Sequence, residues 1–365
     1  MSLLSIRTLV VLTFLMHNFS AFSQDPDCPT PTFFKTIGAE NQSEYATAIT
    51  TSSDGNLFLA GRKGNRTFLQ KTNLQGEVIW LRDFQLSPFE PIAPSQIFED
   101  SEGMIVGCGT QNQFAGARRG FVFRYDPVAN TFLWAHPMVS NNPTAGGILE
   151  KEPGGSFVYY QNPVFSDGET DMEITDLERA TGNIIAAFAS RYEHLSFDAL
   201  SKMVIVNGSL YGAGWAAGRQ GTTTDARRML LARFDPVNGM PVWAQMSHVD
   251  TSVQADYFGR DLIIDGDVLV SAYVGNGDSG NPDVYELFLQ KTDLDGNILW
   301  VRRYDFKAGI LKLLNVPDGY VVYGQQNGNE HYVLKTNKNG IPIWGRKLVQ
   351  GPASPIESNL FTPQQ

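Results

Sequence analysis

The sequence predicts an all-β fold, a β-propeller of four-stranded antiparallel blades, six blades favoured and seven the alternative count. Three observations carry this. The composition suits strands and turns, with 35 glycines, 12% aromatic residues and only 18% charged residues in 365. A line ending in tryptophan recurs along the chain. A second line, a glycine followed by β-branched and aromatic residues, recurs ahead of each tryptophan.

The chain opens with a segment that is read separately from the fold. Arg7 gives a short positive stretch, and "TLVVLTFLM" (8–16) is an apolar run too short to span a bilayer. Ala21 and Ser23 in "SAFSQ" match a signal-peptidase site. Residues 1–23 are therefore expected to be a signal peptide, with residues 24–365 a single propeller domain. Cys28 and Cys108 are the only cysteines. That number excludes a disulfide-dense scaffold or a cysteine-ligated structural zinc, and leaves either one bridge or a buried thiol at Cys108. The net charge of −10 is spread along the chain, which argues against nucleic acid as a partner. No later stretch is apolar enough for a membrane helix.

The repeat follows. "KTNLQGEVIW" (71–80), "RYDPVANTFLW" (124–134), "RFDPVNGMPVW" (233–243), "KTDLDGNILW" (291–300) and "KTNKNGIPIW" (335–344) place Trp80, Trp134, Trp243, Trp300 and Trp344 at one structural position. A degenerate copy, "TDLERATGNIIA" (175–186), carries Ala186 there. The glycine-started line reads "GNLFLAG" (55–61), "GMIVGCG" (103–109), "GSFVYYQ" (155–161), "GSLYGAG" (208–214), "GDVLVSA" (266–272) and "GYVVYGQ" (319–325). With one further apolar run on either side, each unit becomes four short strands, A to D. The units span about 39–84, 85–139, 140–190, 191–248, 249–305 and 306–350. A four-stranded unit cannot bury both faces alone, so neighbours must stack.

Asp293 and Asp295 could begin a calcium loop, but their counterparts are Asn73 and Gln75 in one unit and Asn337 and Asn339 in another. Residues that interchange in this way serve turn geometry, and Asp54, Asp265 and Asp318 are read likewise. The tryptophans are expected to pack against a neighbouring sheet or their own hairpin. Closure of the ring is expected from "FFKTIG" (33–38), which aligns with the D strand "WLRDF" (80–84). In the seven-blade alternative the tail "SPIESNLFT" (354–362) would join it.

These lines resemble known blades. D-P-x-N-G-x-P-x-W and T-D-x-x-G-x-x-x-W are similar to the blade motif of quinoprotein-like propellers. The fuller pattern, D-G followed by K-T-D-x-x-G-x-x-x-W, resembles repeats of exported bacterial propeller proteins common in Bacteroidetes. The resemblance covers nearly all of residues 24–365 and implies fold more than activity. It departs from the quinoprotein enzymes in having six units instead of the usual eight, and in lacking their vicinal cysteine pair.

Function is expected on one face. The A–B and C–D turns are tight, whereas the B–C and D–A connections are long and varied, as a binding face on a rigid scaffold would be. "WAAGRQGTTTDARR" (215–228) supplies Trp215, Arg219, Asp225, Arg227 and Arg228, a set suited to a sugar ring or a carboxylate. Tyr273 opens the next such loop. Asp278, Asp283 and Glu286 could together hold Ca²⁺, the one ion these loops could take, and no other cofactor is expected. His136, His194 and His248 each follow a D strand and form a weaker metal reading. No G-x-S-x-G, H-E-x-x-H or G-x-x-x-x-G-K pattern occurs. The expected function is an exported, non-catalytic propeller that binds a protein or glycan at the cell envelope. A carbohydrate-active or quinone-dependent propeller enzyme is the alternative.

Overall fold

The computed structural model describes residues 44–85, 92–112, 118–138, 144–163, 172–190, 195–219, 227–246, 256–275, 286–307, 309–326, 330–349 and 363–364. Its strands fall into six sheets. Blade 1 is β1 (Glu44–Thr51), β2 (Leu57–Lys63), β3 (Arg66–Thr72) and β4 (Val78–Phe84). Blade 2 is β5 (Ile92–Glu99), β6 (Ile105–Asn112), β7 (Arg118–Asp126) and β8 (Thr131–Pro137). Blade 3 is β9 (Thr144–Glu150), β10 (Phe157–Asn162), β11 (Met172–Leu177) and β12 (Ile184–Ser190). Blade 4 is β13 (Leu195–Val206), β14 (Ser209–Arg219), β15 (Arg227–Phe234) and β16 (Pro241–Met246). Blade 5 is β17 (Tyr257–Asp265), β18 (Val268–Gly275), β19 (Glu286–Asp293) and β20 (Ile298–Lys307). Blade 6 is β21 (Gly309–Val316), β22 (Gly319–Gln326), β23 (Glu330–Asn337) and β24 (Pro342–Val349). Every sheet is antiparallel and ordered as the chain runs, so the protein is a six-bladed β-propeller. No helix among the described residues is long and apolar enough to cross a membrane.

The first strands touch one another from blade 1 to blade 6 and so surround the central channel, leaving the fourth strands outermost. Apolar cores form between successive blades, in each case from facing sheet surfaces. Phe58, Leu69, Ile97 and Phe123 join blades 1 and 2, and Leu289, Tyr304, Tyr320 and Leu334 join blades 5 and 6. Among the described residues no such cluster joins blade 6 to blade 1. Residues 33–38 and 354–362, which the sequence assigned to that closure, lie outside the described residues. Pro363–Gln364 form β25, paired with the outer edge of blade 5 at β20.

The turn reading of Asp293 holds in atomic detail. Its Oδ1 accepts the backbone N–H groups of Asp295 (3.0 Å) and Asn297 (2.7 Å). Asn73 does the same for Gln75 and Glu77, and Asn337 for Asn339 and Ile341. Gly296 follows at φ +96°, a backbone conformation that a side chain would strain. The tryptophans also lie where expected, on the outer strands, and Trp134, Trp243 and Trp300 lean on the next blade. Trp134 donates its indole N–H to the carbonyl of Arg179 in blade 3 (2.9 Å), and Trp243 donates to Leu294 in blade 5 (3.3 Å).

Two features go beyond those expectations. First, the A–B turn aspartates are more than turn formers. Asp54 pairs with Lys71 (2.7 Å), Asp100 with Arg124 (2.8 Å), Asp265 with Lys291 (3.3 Å) and Asp318 with Lys335 (2.7 Å), each joining the turn to the third strand of its blade. Blade 3 reverses the polarity, with Lys151 on the turn and Asp176 on the strand. Second, the pairing of first and second strands slips by one residue in every blade. The slip lies between Ala46 and Ala48, Pro94 and Gln96, Leu200 and Lys202, Gly259 and Asp261, and Ile310 and Lys312, and opposite Tyr160/Asn162 in blade 3. A β-bulge re-aims the side chain that follows it. Here it turns Gln96, Lys202, Asp261 and Lys312 of the innermost strands to one level of the channel.

Candidate ligand-binding face

Trp215 is the tryptophan outside the repeat, and the structure places it near the end of β14, at the side of the disc that carries the B–C and D–A connections. Its cross-strand neighbours are Ala199 and Met229. One edge of the indole reaches across to blade 5 and meets Phe258 at 5.9 Å and 73°. The ring is therefore half-buried, packed against the blade 5–6 core. This is firmer support than a loop would give it.

Arg227 opens β15 and lies exposed beside this pair. Its guanidinium carbon sits 5.3 Å from the Trp215 ring centre and 5.2 Å from that of Phe258. Its backbone N–H donates to Asp256 Oδ1 at 2.8 Å, which ties the start of β15 to the start of blade 5. Arg260, also exposed, lies 5.1 Å from the Phe258 ring centre. Arg228 is half-buried and pairs across the sheet with Ala216. Two guanidinium groups on two aromatic rings give a positive, flat-walled surface. Planar donors of this type match carboxylates, and the exposed part of Trp215 matches the apolar face of a sugar or a side chain, while Phe258 is buried beneath it.

The other sequence candidates separate from this surface. The Arg219 backbone pairs with Leu195 at the end of β14, while Asp225, Asp278 and Asp283 lie outside the described residues. Tyr273 is 4% exposed and stacked on Phe288 at 4.9 Å, so it supports the blade 4–5 core and faces no ligand. Burial, aided by Tyr257, pushes its phenol well above the ordinary range. Glu286 is ion-paired with Arg303 through both oxygens, at 2.7 Å each, a partner of the wrong sign for an ion site. Among the described residues no three His, Cys, Asp or Glu side chains group as metal ligands. His136 bonds the Thr181 carbonyl at 2.8 Å on the outer wall, and His194 and His248 lie outside the described residues. Cys108 is a free thiol, 1% exposed, which burial pushes up to about 12.

Sequence reasoning missed Phe258 and Arg260. Their signal was the F-G-R at the close of the D–A connection, next to Trp215 only once blades 4 and 5 are stacked.

Neither a protein-family model nor a curated protein sequence matches the chain. Solved structures share its fold. A puromycin hydrolase is similar over 86% of this chain and 46% of its own, at 11% identity and a TM-score of 0.51. The chain thus spans less than half the length of that protein. Extracellular domains 1–2 of Drosophila Semaphorin 1a are similar over 85% of this chain and 79% of theirs, at 9% identity and a TM-score of 0.51. A quinohemoprotein alcohol dehydrogenase from Pseudomonas putida HK5 is similar over 80% of this chain and 57% of its own, at 10% identity and a TM-score of 0.44. At these identities the likeness is one of fold.

Proposed function

We propose that the protein is an exported binding propeller whose long-loop face takes a carboxylate-bearing glycan at the cell envelope. The observation that carries this reading is Arg227 lodged against Trp215 and Phe258, with Arg260 over the same phenyl ring. Trp215, half-buried above the buried Phe258, offers apolar surface for a sugar, and the exposed Arg227 guanidinium offers donors for its carboxylate. Because Trp215 and Phe258 are held by two different blades, the platform needs little reordering on binding, which favours affinity. Export is supported by the charged, apolar and small-residue sequence of residues 1–23.

The test is thermal unfolding with tetragalacturonate, with neutral cellotetraose, and with pyrroloquinoline quinone. At about 100 times its dissociation constant a ligand adds roughly 2.7 kcal/mol, a rise of about 4 °C for a chain of this length. The acidic sugar should raise the midpoint, and Arg227→Ala should abolish the rise. An equal response to the neutral sugar would sink the carboxylate reading. A rise with the quinone alone would favour the enzyme alternative.

A further inference from the structure

The channel holds a second arrangement, on the opposite side of the disc from the arginine–aromatic platform. Where the first strands run out into their tight turns, a cavity of about 370 Å³ opens, near the small end of ligand pockets. Its wall is mostly apolar, with Phe98, Leu149, Val204 and Ile264 contributed by four successive blades. Lys202 enters it from the bulge level.

The four polar residues at that level are not equivalent. Gln96 is used up on the next blade, donating to the Ile148 carbonyl at 2.9 Å and accepting its N–H at 3.3 Å. Asp261 accepts the N–H groups of Leu313 (2.7 Å) and Leu262 (2.9 Å), and Lys312 lies 3.9 Å from it. Glu150, also in the cavity wall, is held by Arg179 and by Ser101. Lys202 is the exception. Among the described residues its ammonium has neither a hydrogen-bond acceptor nor a carboxylate at ion-pairing distance. Burial, and then the charge of Lys312, push its pKa below the ordinary lysine range, against the opposing pull of Asp261 and Cys108. A part-buried ammonium with no acceptor among the described residues, at the wall of an apolar cavity, is placed to receive an anion.

We propose that this cavity binds a small carboxylate with an apolar body, its carboxylate on the Lys202 ammonium and its hydrocarbon against Phe98, Leu149 and Ile264. Lys312 adds a second positive charge at the same level. The apolar wall selects against inorganic anions, which would bring no hydrocarbon to cover it.

Calorimetric titration of the purified chain with 3-phenylpropionate, and with 3-phenylpropionamide, tests this. The two probes share shape and differ in charge. For a ligand of this size a dissociation constant on the order of 0.1–1 mM is expected for the acid. The amide should bind at least tenfold more weakly. Lys202→Met should cost the acid tenfold or more, Lys312→Met less, and Arg227→Ala, on the opposite face, nothing. Bound acid should also protect Lys202 from acylation by acetic anhydride, read by mass spectrometry. The proposal fails if acid and amide bind alike, if neither binds, or if a folded Lys202→Met protein keeps the affinity. The acid–amide comparison uses the unaltered protein, so it decides the matter even if the variants do not fold.

Discussion

The two sides of the disc are built by different rules. On the tight-turn side charged groups link several neighbouring blades. Asp100, fully buried, lies between Arg124 at 2.8 Å and Arg179 of the next blade at 3.2 Å, while Arg179 also holds Glu102 and Glu150. Glu99 and Glu150 each accept from the turn serine of the preceding blade, Ser53 and Ser101. On the long-loop side Arg227 and Arg260 are exposed and rest on aromatic rings, while Arg303 pairs with Glu286 at 2.7 Å and Lys63 lies 3.9 Å from Asp83. Arginine thus does two jobs in one molecule. Where its charge is matched and dry it fixes the ring, and where it is stacked and wet it is presented to solvent.

Substitutions should separate the two uses. Asp100→Ala removes the buried carboxylate between Arg124 and Arg179, leaves them Glu102 and Glu150, and should cost about 2–4 kcal/mol, read from the urea midpoint. A loss below about 1 kcal/mol would show that the tight side is no better braced than the other. Trp134→Ala, at the same blade 2–3 contact, should cost about 3–5 kcal/mol.

Acid should act on the tight side too. Burial works to raise the Asp265 carboxyl, but Lys338, Tyr320 and Asn315 outweigh it and hold the group far below the usual carboxylate range. A carboxyl depressed in the folded state contributes stability that is complete above about pH 4, its unfolded value, and lost as pH falls through the folded one. Lys338→Met should therefore move the onset of acid unfolding to higher pH. An unchanged acid limb would remove Asp265 from the account. Arg227→Ala should show the smallest effect on folding, within about 1 kcal/mol, together with loss of the acidic-sugar response.

Much of this architecture is legible in the amino-acid sequence alone. Six copies of one line fix the strand order, and Asp, Asn and Gln interchanging at Asp295, Asn339 and Gln75 mark a turn because only backbone geometry survives such exchange. The ion pairs of Asp54, Asp265 and Asp318 are present in the same lines, each turn Asp matched by a third-strand cation. They escape a reading that takes each residue within its own turn. Tyr273 misleads for another reason. Nearness to a long loop in the chain does not reveal that β18 is an inner strand covered on both faces, where every residue from Leu269 to Gly275 is buried whichever side it faces. The slips at the first strands have no uniform residue signature, since Thr47, Ser95 and Ser201 carry hydroxyls at that position and Arg260 and Leu311 do not. The channel cavity is beyond sequence reading altogether, being assembled from four blades.

The reversed ion pair of blade 3 bears on the birth of the molecule. A chain of near-identical hairpins emerging in order runs the hazard that a hairpin of one copy docks on the third strand of another. Lys151 would then confront Lys71, Lys291 or Lys335, and Asp176 would confront Asp54 or Asp318. The inverted copy sets like charges against those partners, which disfavours a swap between blade 3 and blade 1, 5 or 6 while leaving the same-polarity copies without that distinction.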